Sequence, residues 1–330
     1  MDAALYSALK LDRIRTEYST RRINGRSNLE ILGALDTPGD AHYHPCPEAF
    51  FSQDEGDGGS GRVERVRNWA GSAVFADTIR DVWVYVSPGG EGERDLPLLV
   101  FNDGAGYLDP NGPVRATRVL DALVATGELP PVAAVFVMPG RPPDIERPHR
   151  PGERPDPRAN DQRSFEYDSL TDDYARFVID ELLPMAAALV DVRFTEDPAW
   201  RAMIGISSGG ICAFNVAWHR PDQFGRVVSH CGSFVAIRGG HEYPVLIRHS
   251  ERKPIRVFLQ SGERDADILF GNWALANQTM AAALEFAGYE ARFEFGTGGH
   301  NLRHGGALFA DTLRWLFATN DGDDPQTGQE

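Results

Sequence analysis

The chain has 330 residues, of which 42% are hydrophobic and 25% charged, enough for one large domain or two small ones around an ordinary buried core. Its formal net charge of -15 repels phosphate backbones and anionic lipid surfaces, which argues against nucleic acid or a membrane as partner. The opening residues (MDAALYSALKLDRIRTEYSTRR) hold no uninterrupted apolar stretch, so neither a signal peptide nor a membrane span is expected and a cytoplasmic location is; Cys46, Cys212 and Cys231, an odd number, read as reduced core residues.

Residues 1–61 read as an N-terminal extension, helical at first, then irregular, and ending in an acidic glycine-rich run at 54–61 (DEGDGGSG) expected to be a flexible loop. His42, His44 and Cys46 alternate there, but Pro45 and Pro47 interleave them and no second ligand pair follows, so they are read as loop residues and no metal is expected. A catalytic domain over 62–318 and an acidic, disordered tail over 319–330 complete the expected organisation. Val63 and Val66, then Ile79, Val82, Val84 and Val86, predict two strands joined by a turn at 71–77. The runs LPLLVF (96–101) and VAAVFVM (132–138), bounded by Gly and Pro, have the pattern of strands buried on both faces. Between them, Val119, Leu120, Leu123 and Val124 fall on one face of a helix over 114–126. The alternation continues with a helix at 171–190, a strand at 201–206, a helix at 208–218, strands at 226–229 and 255–260, a helix at 273–287, a strand at 291–295 and a last helix ending near Phe317. Such alternation predicts an α/β fold, a mostly parallel, doubly wound sheet with helices on both faces.

The most specific local signal is Gly205-Ile206-Ser207-Ser208-Gly209, a G-x-S-x-G string directly after an apolar strand and directly before a helix. That context is what the nucleophile elbow of the α/β-hydrolase fold requires; there Ser207 would be exposed at a strained turn and the Ser208 amide would face a developing oxyanion. The plain alternative is that Ser207 only caps the helix. A serine hydroxyl needs a base, and in this fold the acid and then the histidine follow on later loops. The loop after the 255–260 strand offers Glu263, Asp265 and Asp267, and Asp265 is preferred; the loop after 291–295 offers His300 and His304, and His300, which follows two glycines, is preferred. Gly104 and Ala105, in the loop after LPLLVF, are candidates for the second oxyanion donor, with Ser208 the first. Arg163 and Tyr107 are candidate substrate contacts. Arg163 ends the proline- and arginine-rich segment 139–163, which is too long for an ordinary connection and is expected to border the site.

Together LLVFNDGAGY, Arg163-Ser-Phe-Glu166-Tyr167 leading into YARFVIDELLP, the elbow IGISSGG and the ending GGHNLRHGG resemble the putative-esterase family of α/β-hydrolases, above all its enterochelin esterase-like members. That family also includes feruloyl esterases, S-formylglutathione hydrolase and mycolyltransferases. The resemblance runs over about residues 62–317 and implies a Ser, Asp, His triad and hydrolysis of a carboxylic ester without a cofactor. It maps the nucleophile onto Ser207, the base onto His300 and the acid onto Asp265. Residues 1–61 are too short and irregular for the N-terminal sandwich domain of full-length enterochelin esterases.

The expected function is therefore a serine esterase acting on a small-molecule ester, siderophore-like or aromatic, through an acyl-serine intermediate. The alternatives are an acyltransferase using the same triad and a catalytically silent binding protein on the same fold. Oligomeric state is not legible.

Overall fold

The computed structural model describes residues 22–23, 25–27, 37–52, 60–92, 95–146 and 156–318. The expected opening helix, most of the acidic run at 54–61 and the tail from 319 lie outside the described residues, as do Arg147, Arg150, Glu153 and Arg154.

Eight strands form the central sheet: β1 (Arg62–Trp69), β2 (Arg80–Val86), β3 (Leu98–Asn102), β4 (Ala133–Val137), β5 (Arg201–Ile206), β6 (Arg226–His230), β7 (Arg256–Arg264) and β8 (Glu290–Gly299). Their spatial order is β1-β2-β4-β3-β5-β6-β7-β8, antiparallel at β1/β2 and β2/β4 and parallel elsewhere. The apolar runs behave as predicted: every residue of β3 and of β4 is buried. Their side chains alternate between two cores, with Leu98, Val100, Val135 and Val137 on one face and Leu99, Phe101, Ala134 and Phe136 on the other. The edge strand β1 (RVERVRNW) keeps charged side chains in solvent, which discourages pairing with a second chain.

The helices are α1 (Gly104–Leu108), α2 (Ala116–Ala125), α3 (Pro157–Asp168), α4 (Asp173–Arg176), α5 (Leu183–Val190), α6 (Ser208–His219), α7 (Tyr243–His249), α8 (Trp273–Phe286), α9 (Arg303–Ala307) and α10 (Phe309–Phe317). The expected single helix over 171–190 is divided, because α4 passes into α5 through a π-helical turn, Phe177–Leu182. Pro184 follows that turn and has no N–H to return to the carbonyl four residues back, so the hydrogen-bond ladder widens there.

The described parts of segment 139–163 are tied to the sheet and partly helical. The backbone of Arg141 pairs with Ile79, and its guanidinium reaches Asp81. From Pro157 the chain is helical, with Asp156 as N-cap accepting the Arg158 amide hydrogen at 2.8 Å and proline in the first turn. Helix α3 is anchored to the sheet by Arg80 and Glu166, whose side chains are both 0% exposed and joined by two hydrogen bonds of 2.8 and 3.1 Å. A pair so deeply buried is tolerable because both oxygens are used, the Gly140 amide also donating to Glu166.

Residues 37–52 form two 3-10 turns, Pro38–Asp40 and Pro47–Phe50, laid over the end of β8 and α9. Tyr43 stacks on His304 with ring centroids 4.2 Å apart, and the Cys46 amide donates to the Gly306 carbonyl. His42 and His44 are exposed while Cys46 is buried.

Candidate active site

The last residue of β5 leads into Ser207, whose φ of 60° and ψ of −123° lie where a side chain other than glycine's is strained. Such a conformation costs about 1–3 kcal/mol and persists only when its surroundings enforce it. Here a Cβ on Gly205 would come within 2.2 Å of the Gly209 carbonyl oxygen, so the strand cannot meet α6 this closely with any larger residue. Asn102 at the end of β3 adds a hydrogen bond from its amide nitrogen to that same carbonyl, and the Ser207 amide donates to the His230 carbonyl of β6. The elbow is thus held from three strands.

His300 follows β8 and Asp265 follows β7, and the parallel register of the two strands brings both loops to the edge where Ser207 stands. The His300 Nε2 lies 2.8 Å from Ser207 Oγ, and its Nδ1 lies 2.5 Å from Asp265 Oδ1. The Asp265 carboxylate is fully occupied: Oδ1 also accepts the Ala266 amide hydrogen at 2.8 Å and Oδ2 accepts the Ser261 hydroxyl at 2.5 Å. Burial would raise its pKa, but the adjacent His300 and these hydrogen bonds prevail and hold it below the usual carboxylate value. Of the rival residues, Glu263 and Asp267 are exposed and point to solvent. His304 is buried under Tyr43, with Nδ1 3.3 Å from the Gln260 side chain.

Gly104 and Ala105 open α1, and Ser208 opens α6, so their amides belong to the first turns of helices, which lack partners inside the helix. Asp103 caps α1 in the left-handed region, and a Cβ on Gly104 would meet the Phe136 backbone of β4 at 2.6 Å. The expected turn is therefore a short helix pressed onto the sheet.

Two expected substrate contacts are placed differently. Tyr107 is 0% exposed, its ring among Phe101 and its neighbours and its hydroxyl 2.9 Å from His230 Nδ1, so it is a core residue and cannot reach a substrate. Arg163 borders the site but its fork is already engaged by Asp103, with Nε–Oδ1 3.1 Å and Nη2–Oδ2 2.6 Å. Four residues beside Ser207, His300 and Asp265 are given no place at the site by the sequence: Ser233, Trp273, Asp40 and Cys231, the last read only as a core cysteine. The Trp273 and His300 rings stand nearly perpendicular with centroids 5.8 Å apart, and Asp40 accepts the Gly299 amide hydrogen next to His300. The Cys231 thiol has its pKa pushed up by burial and by nearby Asp265. Among the described residues, Cys231, Asp265 and His300 are the group whose ligand atoms lie within 4.8 Å of one another, but two of these belong to the chain ending on Ser207 and the thiol resists ionisation, so the set is poorly suited to a metal.

Comparison with known proteins identifies the family. Residues 76–316 match the family model described as "Putative esterase". The iron(III) enterobactin esterase of Dickeya dadantii (strain 3937) is 30% identical over 265 residues, covering 76% of this chain and 54% of that protein. The enzyme of the same description from Escherichia coli (strain K12) is 28% identical over 205 residues, 60% of this chain and 45% of that one. The chain thus spans about half the length of the curated relatives it matches. Among solved structures, the Shigella flexneri enterobactin esterase in the presence of enterobactin superposes with a TM-score of 0.58 at 22% identity, over 78% of this chain and 58% of that one. A ferulic acid esterase from Anaeromyces mucronatus gives 0.57 at 17% identity, over 82% and 95%. Strand order, elbow and family match together place the chain in the putative-esterase family, on the α/β-hydrolase fold.

Proposed function

We propose that the protein is a serine esterase that hydrolyses a carboxylic ester through an acyl-Ser207 intermediate. The observation that carries this reading is the unbroken hydrogen-bonded chain from Asp265 through His300 to Ser207 Oγ. In acylation His300 Nε2 takes the Ser207 proton as Oγ attacks the ester carbonyl, and returns it to the departing alcohol. In deacylation a water is activated in the same way, the acid is released and Ser207 is restored. Asp265, buried and held ionised, fixes the proton of neutral His300 on Nδ1 and stabilises the imidazolium that forms. The Ser208 amide with those of Gly104 and Ala105 supplies donors for the tetrahedral oxyanion, and their fixed orientation makes them effective.

The substrate class proposed is a siderophore-like or aromatic ester, in keeping with the enterobactin and ferulic acid esterases among the relatives. No metal or organic cofactor enters any step. Among the described residues no helix is long and apolar enough to cross a membrane. A fluorophosphonate probe tests the reading directly: covalent labelling at Ser207, absent in Ser207→Ala, together with turnover on a panel of aryl, acyl and lactone esters, is expected. An unlabelled protein that nonetheless binds such esters is a binding module instead.

A further inference from the structure

The Ser207 hydroxyl has a second neighbour besides His300. Ser233 Oγ lies 3.3 Å from Ser207 Oγ, and the Trp273 indole Nε1 lies 3.1 Å from the same Ser233 Oγ. An indole N–H can only donate, so it occupies one lone pair of Ser233. The Ser207 proton is directed to His300 Nε2 at 2.8 Å. The one hydrogen left to place is that of Ser233, and Ser207 Oγ is the acceptor in reach. Ser233 is 1% exposed, so solvent does not compete for it. Its backbone is fixed to the elbow as well: the Ser233 amide donates to the Ser207 carbonyl at 3.0 Å, and Asn277 of α8 donates to the Gly232 carbonyl at 2.9 Å.

We propose that Ser233 is a further catalytic residue, a hydrogen-bond donor to Ser207 Oγ, aimed by Trp273, that acts chiefly in deacylation. The proposal rests on the reading of Ser207 as nucleophile. When the deacylation intermediate collapses, the bond between the acyl carbon and Ser207 Oγ breaks and its electron pair goes to Oγ, which takes the proton carried by His300 Nε2. Ser233 keeps its own proton and donates a hydrogen bond to the oxygen gaining that charge. The same donor is present when free Ser207 attacks, but there the hydroxyl already accepts it in the ground state, so less is gained. An ester oxygen is the poorer acceptor, so the bond strengthens most between acyl-enzyme and transition state, and only such a strengthening raises a rate. A separation of 3.3 Å is long for two hydroxyls at rest and leaves room to shorten as charge develops.

The experiment compares acylation and deacylation in wild type, Ser233→Ala and Trp273→Phe with a nitrophenyl ester. Nitrophenol release with enzyme in excess gives acylation, and decay of acyl-enzyme by mass spectrometry after quenching gives deacylation. In Ser233→Ala, deacylation should slow about tenfold, the loss of one ordinary hydrogen bond, with acylation changed by less than about threefold, so acyl-enzyme accumulates. Trp273→Phe keeps an aromatic ring near His300 but frees the Ser233 hydroxyl, and should slow deacylation by about two- to fivefold. Equal slowing of both steps, or no change in either, overturns the proposal; should Ser233→Ala fail to fold by circular dichroism, the ratio in Trp273→Phe decides. A wild type that fluorophosphonate does not label overturns the parent reading instead, so the two failures are distinguishable.

Discussion

The Asp40 carboxylate accepts the Gly299 amide hydrogen at 3.0 Å, so a residue from before the first sheet strand holds the loop that carries His300. Its other oxygen accepts the Thr37 amide and hydroxyl at 2.7 and 3.0 Å. Burial would raise the Asp40 pKa, but hydrogen bonds from Thr37, Gly299 and Asn301 prevail and hold it down. A charge-assisted bond of this kind is worth about 1.5–3 kcal/mol, and its loss should let His300 drift from Ser207. Asp40→Ala is expected to lower ester turnover about tenfold while circular dichroism stays native, because small misplacements of a base are costly. Unchanged turnover would mean that β8 and Asp265 position His300 without this strap.

For the triad itself, Ser207→Ala and His300→Ala should each reduce turnover by roughly 10³ or more, since its members act as a unit. Asp265→Asn leaves the wrong imidazole tautomer and should cost on the order of 10²–10⁴. By contrast Asp267→Asn, at an exposed position, and His304→Ala, which removes a ring buried under Tyr43, should leave the chemical step nearly intact, the latter with some loss of stability. Steady-state kinetics on one soluble ester decide this. Activity that survives His300→Ala and dies in His304→Ala would reverse the assignment of the base.

Arg163 and Asp103 predict a different signature. Their bidentate pair sits at the N-terminus of α1, beside the Gly104 and Ala105 amides. Removing the guanidinium leaves an unpaired carboxylate beside the proposed oxyanion site, where it would repel the developing charge. Arg163→Ala should therefore lower kcat for neutral and anionic esters alike, and Asp103→Ala in the same chain should recover part of the loss. A rise in KM confined to the anionic ester would instead show that Arg163 meets the substrate directly, as its type and place in the chain first suggest.

These cases show where the chain is legible and where it is not. Strands β3 and β4 are buried on both faces, so their composition alone declares them, and the elbow is contiguous, so one string holds its chemistry. Asp265 and Asp267 have a single residue between them, and what distinguishes them is a turn, Asp265 amide to Gly262 carbonyl, that rotates one carboxylate inward. The burial of Tyr107 is hidden from the sequence for the same reason: it sits in a five-residue helix whose inward face depends on contact with His230, 123 positions away. Ser233 meets Trp273 only because the turn after β6 and the start of α8 converge, and no local pattern announces such a meeting.

His230 supports a last prediction, about stability and pH. It is wholly buried at the end of β6, with Nδ1 bonded to the Tyr107 hydroxyl, Nε2 without a partner, and the ring edge 2.6 Å from where a Cβ on Gly305 would stand. Burial, assisted by neighbouring His304, pushes its pKa down to about 3 from 6.5. The folded state therefore refuses a proton that the unfolded chain accepts, and between those two values the unfolded state binds more protons. Stability must then rise with pH across that interval and fall as the medium is acidified below about 6.5. His304, also lowered by burial, adds in the same direction. Above pH 7 the contribution is constant. His230→Gln can still accept from or donate to Tyr107 but does not titrate, so its unfolding free energy should change less between pH 7 and pH 4 than that of wild type. Urea denaturation at the two pH values measures the difference, which should reach about 1–3 kcal/mol. An equal pH dependence in the two proteins would mean that His230 is protonated, or finds a proton acceptor, within the folded core.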